Sequence, residues 1–309
     1  MTGAQVTRRG GDVVVAHTPP GTRHALRPAG AERFDPAVLR SVRPLPLGIT
    51  REWAWGGSTG EGVDVAVVDS GIEDGHPLVG RVDSAVALSV DESRPEGVRF
   101  DVGPHADLFG HGTACAGIIR GLAPGCRLHS VRVLGDRLTG RGPVFAAGVR
   151  WALDQGFPVV NLSLSTGKDE YHGLFHDLAD EAYFRGTALV CAVSNAPVPS
   201  YPSQFSSVFS VAAHDRHDPE RFDYNPDPPV ELGAPGVDVE VAWRGGGTLR
   251  ATGNSFAAPH VTGLLARILG RHPGLTPFQL KTVLHALADN AAHHASDDAT
   301  DHADTPERG

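Results

Sequence analysis

Strand-like and helix-like segments alternate along the middle of this chain, and that alternation restricts its possible folds more than any other feature. Residues 62–68 form an apolar run rich in β-branched side chains, the pattern of a buried strand. Residues 128–134 (LHSVRVL), 158–164, 187–193 and 208–213 read the same way. Between them, 143–154 reads as a helix with proline in its first turn and Gly156 just past its end. Residues 174–185 read as a second helix, closed by Gly186. Beyond Ser255 comes a helix with Val261, Leu264, Leu265 and Ile268 on one face, ended by Gly270. The last helix starts with Thr276 as N-cap, Pro277 at the first position and Gln279 completing a capping box. Strands separated by helices of ten or more residues imply right-handed crossovers and a mainly parallel sheet covered on both faces, an α/β architecture.

With 309 residues the chain can bury one large core, or a core and a small appendage. A formal net charge of −9 weighs against nucleic acid or an anionic membrane surface as the main partner. No run approaches the roughly 20 apolar residues of a membrane span; the longest, 65–68 and 188–193, have strand length. No apolar stretch follows Arg8 and Arg9, so no secretory signal is visible. Cys115, Cys126 and Cys191 cannot all pair with one another, and buried reduced thiols are expected. The cytoplasm is therefore the default compartment. Residues 1–43, rich in Gly, Pro and Arg, read as an N-terminal extension with one β-like run at Val13-Val14-Val15. Residues 44–288 form the body, and 289–309, mostly Ala, Asp, His and Thr, are expected to be disordered. His293, His294 and His302 in that tail fit a solvated segment better than a metal site.

Reactive groups in open α/β sheets collect beyond the carboxyl ends of the strands. Asp69 stands at such an end, in VVDSGI, although many α/β proteins place an aspartate there to cap a helix. His111 opens the segment HGTACAGII; alone, a histidine at a helix start is more often structural than a base. Ser255 lies in GNSFAAPHV, where a turn runs into a helix, and such a serine is usually an N-cap. As a nucleophile it would instead lend the helix dipole to negative charge on the attacked carbonyl. Asn195 ends a strand, where asparagine normally means a turn and otherwise an amide donor to an oxyanion.

The order aspartate, histidine, asparagine, serine turns four weak signals into one strong one. Asp69-Ser70-Gly71-Ile72 with His76-Pro77, then His111-Gly112-Thr113, then Ser255 with Ala258-Pro259-His260-Val261, closely resemble the three signature blocks of the subtilase family. The resemblance runs from about residue 45 to 288, with Ala123-Pro124, Val131-Arg132-Val133-Leu134 and Ala234-Pro235-Gly236 matching intervening segments. It implies a subtilisin-like three-layer α/β sandwich with a mainly parallel central sheet of about seven strands. It also implies a serine endopeptidase with Ser255 as nucleophile, His111 as base, Asp69 orienting that base and Asn195 in the oxyanion hole. Ser163-Leu164-Ser165 resembles one wall of the S1 pocket and Ala192-Val193-Ser194 the other. The stretch around Gly140 resembles the edge that pairs with an extended peptide or protein substrate.

Three departures from the family stand out. Asn254 replaces the usual threonine before the nucleophile, and still offers polar bonding. Ser165 and Ser194 replace common glycines on the S1 walls, which predicts a narrower, more polar pocket and a small or particular P1 residue. Only Arg120-Gly121-Leu122 separates the His111 helix from Ala123-Pro124, where many relatives carry a loop for a tight structural calcium. That calcium site is expected to be absent, a weaker one elsewhere being left open, and no cofactor or catalytic metal is expected. The extension fits either a short inhibitory arm or a disordered leader. The leading expectation is an intracellular peptidase of restricted specificity that tailors a precursor peptide. General intracellular turnover and a non-catalytic peptide-binding pseudoprotease are the alternatives. A lipase or esterase would need a G-x-S-x-G elbow, which Ser255 lacks.

Overall fold

The computed structural model describes residues 44–291 and, before them, the backbone of two strands, β1 (Ala4–Arg9) and β2 (Asp12–His17). These two pair antiparallel within a first unit, Met1–Pro46. The second unit, from Leu47 onward, carries the α/β body. It begins with one helical turn, α1 (Arg51–Ala54), and the first sheet strand, β3 (Asp64–Asp69). β4 (Ser84–Val90) and β5 (Val98–Val102) form a hairpin, followed by α2 (His111–Leu122) and β6 (Arg127–Arg132). Then come α3 (Gly142–Asp154), β7 (Val159–Leu162), α4 (His172–Arg185), β8 (Ala188–Ala192) and β9 (Phe209–His214). β10 (Asp223–Tyr224), β11 (Leu232–Pro235), and the hairpin of β12 (Val239–Trp243) and β13 (Gly247–Ala251) lead to α5 (Asn254–Arg271) and α6 (Pro277–Leu287).

Among the described residues the main sheet has nine strands in the order β10-β11-β9-β8-β7-β3-β6-β4-β5. The seven from β11 to β4 are all parallel, and an antiparallel strand closes each edge. The expected parallel core of about seven strands is thus present, with two edge strands added. The chain starts in the middle at β3, lays β6 on one side of it and β7 on the other. That reversal opens a crevice at the carboxyl ends of the central strands.

Both faces of β3 are buried because helices cover both sides. Ala66 and Val68 point into the cluster beneath α3 and α4, together with Val131, Leu162 and Leu189. On the opposite face α2 and α5 pack against each other, and α5 lies along β7, β8 and β9. The apolar face expected for α5 is fully engaged: Val261, Leu264, Leu265 and Ile268 are each at most 1% exposed. Truncating one such leucine to alanine costs about 2–5 kcal/mol. The capping box of α6 forms as expected, Thr276 accepting from the N–H of Gln279.

The body extends further than residue 288. Asp289 is 8% exposed and pairs with Arg51 and Arg221, and Asn290 bonds the backbone of Tyr224 in both directions. The rest of the expected tail and most of the N-terminal extension lie outside the described residues.

Candidate active site

Asp69 is the last residue of β3 and is fully buried. One of its oxygens accepts the backbone N–H of Ser70 at 2.7 Å, and both lie 2.9 Å from Nδ1 of His111. A carboxylate there assigns the proton to Nδ1 and leaves Nε2 as the basic nitrogen. Burial favours the neutral imidazole, yet the adjacent Asp69 carboxylate outweighs it and lifts the His111 pKa well above its ordinary value.

His111 is placed by the start of α2. A Cβ at Gly112 would come 2.0 Å from the carbonyl oxygen of Gly71, so only glycine lets this helix meet the loop after β3 backbone to backbone. Sequence reading passed over Asp107, four residues before His111, which does the capping. Its Oδ1 accepts the Ser70 hydroxyl at 2.8 Å and the N–H groups of Phe109 and Gly110 at 3.0 and 2.8 Å. Its Oδ2 accepts the N–H and hydroxyl of Thr113 at 3.0 and 2.6 Å. The residue beside Asp69 and the turn that carries His111 therefore share one buried carboxylate.

Cys115, one turn along α2, lies 3.9 Å from Asp69 Oδ2 and 4.0 Å from His111 Nδ1. Burial raises its pKa and keeps it a neutral thiol. Asp69, His111 and Cys115 bring three donor atoms within 4.8 Å of one another, the one such cluster found among the described residues. Any ion there would have to break the Asp69–His111 hydrogen bond. Cys115, Cys126 and Cys191 are all buried free thiols, as expected.

Ser255 is the second residue of α5, where backbone N–H groups have no helical acceptor. Asn195, just past β8, accepts the Asn254 N–H through Oδ1 at 2.9 Å. Its Nδ2 is thereby turned toward the space beside Gly253. A Cβ at Gly253 would stand 3.3 Å from the Ser255 hydroxyl and 3.5 Å from that Nδ2, filling the gap between nucleophile and donor. Asn254 fastens the turn from the other side, accepting the Ala213 N–H at 2.8 Å and donating to the Ser194 carbonyl at 3.0 Å. The polar bonding expected of this unusual residue is present.

Pro259, four residues after Ser255, has no N–H to give the Ser255 carbonyl, which a helix would otherwise bond. The Ser163 hydroxyl replaces it, donating to that carbonyl at 2.7 Å, with the Cys115 thiol at 3.6 Å. Behind it, Thr262 donates to Asn161 and Asn161 to Ser163, at 2.9 and 3.0 Å. Ser163 is thus a support of the nucleophile turn as well as a wall residue.

His111 and Ser255 face one cleft of about 700 Å³. No hydrogen bond joins them here, and such contacts commonly tighten only around a bound substrate. Asn195 and Gly140 line the same cleft. So do both expected walls, Ser163, Leu164 and Ser165 on one side and Ala192, Val193 and Ser194 on the other. Asp69 lies behind His111. The Ser194 hydroxyl accepts the Ala196 N–H at 3.1 Å, so it braces its own loop. The triad, Asn195, Gly140 and both wall segments singled out from sequence come together.

The chain matches the model of the subtilase family over residues 60–303. It is 31% identical to the thermostable alkaline protease of Halalkalibacterium halodurans, covering 82% of this chain and 73% of that one. It is 30% identical to subtilisin Savinase of Lederbergia lenta, over 80% and 92% of the two chains. Among solved structures it is similar to a cold adapted subtilisin-like serine proteinase, with a TM-score of 0.61 and 28% identity over 79% of this chain and 88% of the other.

Proposed function

Because the chain belongs to the subtilase family of serine endopeptidases, we propose that it hydrolyses peptide bonds through an acyl-enzyme on Ser255. The observation that carries this assignment is the buried Asp69–His111 pair opening onto the cleft that holds Ser255 and Asn195. A serine hydroxyl is a weak nucleophile at neutral pH and needs a base within reach. His111 Nε2 takes the Ser255 proton as Oγ attacks the carbonyl carbon, and Asp69 stabilises the imidazolium that forms. The oxyanion is held by the Ser255 N–H and the Asn195 Nδ2. Collapse breaks the C–N bond, the leaving amine takes the proton from His111, and water then repeats the sequence on the ester.

The finer reading is restricted cleavage of a precursor peptide inside the cell. Its supports are the serines at 165 and 194 in the S1 walls and three free buried thiols suited to a reducing compartment. The substrate adds as an extended strand along the edge at Gly140, and the site needs no cofactor. Intact mass after a fluorophosphonate probe tests the assignment: one adduct on the native protein and none on Ser255→Ala. An unlabelled native protein would leave a peptide-binding module instead. A P1 profile equal for Phe, Leu and Ala would remove the restriction and favour general turnover.

A further inference from the structure

The substrate cleft carries a charge opposite to that of the molecule around it. Besides His111, its charged lining residues are two cations, Arg141 and Lys168, and no carboxylate lines it, although the chain has a net charge of −9. Both border the stretch of the cleft floored by the apolar side chains of Leu134, Leu138, Phe145 and Tyr171. Arg141 is exposed and has no carboxylate within ion-pair distance among the described residues, and Arg137 on the same turn has none either. Lys168 stands 5.9 Å over the Tyr171 ring and 3.6 Å from Glu170, a highly exposed residue that does not line the cleft. Asp136, also on the turn, is exposed and outside the lining.

The rim is held rigidly. Leu138 adopts φ 53, a left-handed conformation that a bulky residue takes up only when its surroundings impose it. The turn around it is closed by Gly135 N–H to Thr139 O at 3.0 Å and Leu138 N–H to Gly135 O at 3.1 Å. Beyond it, a Cβ at Gly142 would fall 2.3 Å from the Tyr171 ring, so the two sides of the rim touch. The backbone of Arg141, extended at φ −96 and ψ 142 immediately before α3, runs between them.

We propose that this stretch of the cleft is a specificity subsite for an acidic side chain, and that the substrates are peptides with Asp or Glu two to four residues before the scissile bond. The inference rests on the endopeptidase reading above. A peptide extended along the Gly140 edge advances about 3.3 Å per residue, which carries positions P2 to P4 past Leu138 and Arg141. An aliphatic stem meets the apolar floor and a carboxylate meets the two cations. A basic residue there meets like charge.

The test uses three peptides per position, with a fixed P1, carrying Glu, Gln or Lys at P2, then at P3, then at P4. Cleavage is read as kcat/KM on the native protein and on Arg141→Glu, and binding as anisotropy on the Ser255→Ala protein with and without Arg141→Glu. At one position Glu should exceed Lys by about tenfold at low salt, with Gln between, fading toward unity in 0.5 M salt. Arg141→Glu should reverse the order, and Lys168→Gln should shrink it. Equal cleavage of all three at every position would overturn the subsite and leave the endopeptidase intact. A charge preference in binding that Arg141→Glu reverses, with no cleavage of any peptide, would support the subsite and overturn the endopeptidase.

Discussion

The two ends of α2 use charge in opposite ways. At its N-terminal end, Asp107, Ser70 and Asp69 surround His111, whose ring must gain and lose a proton within each turnover. At its C-terminal end Arg120 extends a charge that never changes toward four backbone carbonyls. Those are Val79 at 2.8 Å, Pro124 at 2.9 Å, Cys126 at 2.6 Å and Arg81 at 3.2 Å. A permanent guanidinium therefore gathers two loops from within the chain. One helix thus separates a variable charge from a constant one by its own length.

The sharpest break should come from Asp69→Asn, which leaves His111 its position but removes the charge that selects its tautomer. We expect a fall in kcat of about 10⁴-fold with the melting temperature changed little by comparison. Asn195→Ala removes the side-chain donor to the oxyanion and should lower kcat by about 10²–10³-fold with KM unchanged, the cost known for the equivalent loss in subtilisin, a relative of this chain. Asp107→Asn reverses one set of bonds around the His111 turn. It should lower kcat by about 10- to 100-fold through misplacement of the pair, and Tm as well. At the other end, Arg120→Met should cost about 1–2 kcal/mol, or roughly 3–6 °C in Tm by thermal melting, with kcat/KM untouched. A kcat loss in Arg120→Met would show that the two ends are coupled after all.

The pH profile sharpens the same contrast. His111 works as a base only when neutral, and Asp69 holds its pKa above the ordinary value of about 6.5. Activity should therefore be lost as pH falls through that raised pKa, so the rising limb of kcat/KM lies on the alkaline side. Asp69→Asn should bring it down. The smallest expected effect is that of EDTA: with Arg120 supplying the charge between its loops, Tm should move by no more than about 2 °C. A large downward shift would reveal a tight cation site.

How much of this was legible in the sequence depends on whether the information was local. Asp69, His111 and Ser255 each sit in a short segment with its own pattern, so their roles could be read before any coordinates. The central strands could be read because both faces are apolar. β5 could not, since of its five residues only Val98 is buried and no apolar run marks it. Arg120 was invisible as a structural cation because its partners are backbone carbonyls, which no residue type announces. Arg141 and Lys168 are 27 positions apart, and only the fold brings them to one rim.

Pro259 gives the nucleophile turn a mechanical property of its own. The peptide of Ser255 is gripped by a side chain of the cleft wall, and the Ser163–Asn161–Thr262 relay continues that grip back into α5. Force applied to the wall by an ill-fitting P1 side chain would then reach the serine that must attack it. A peptide of the wrong shape would be penalised twice, once in seating and once in the aim of the hydroxyl, so that discrimination would appear in kcat as well as in KM.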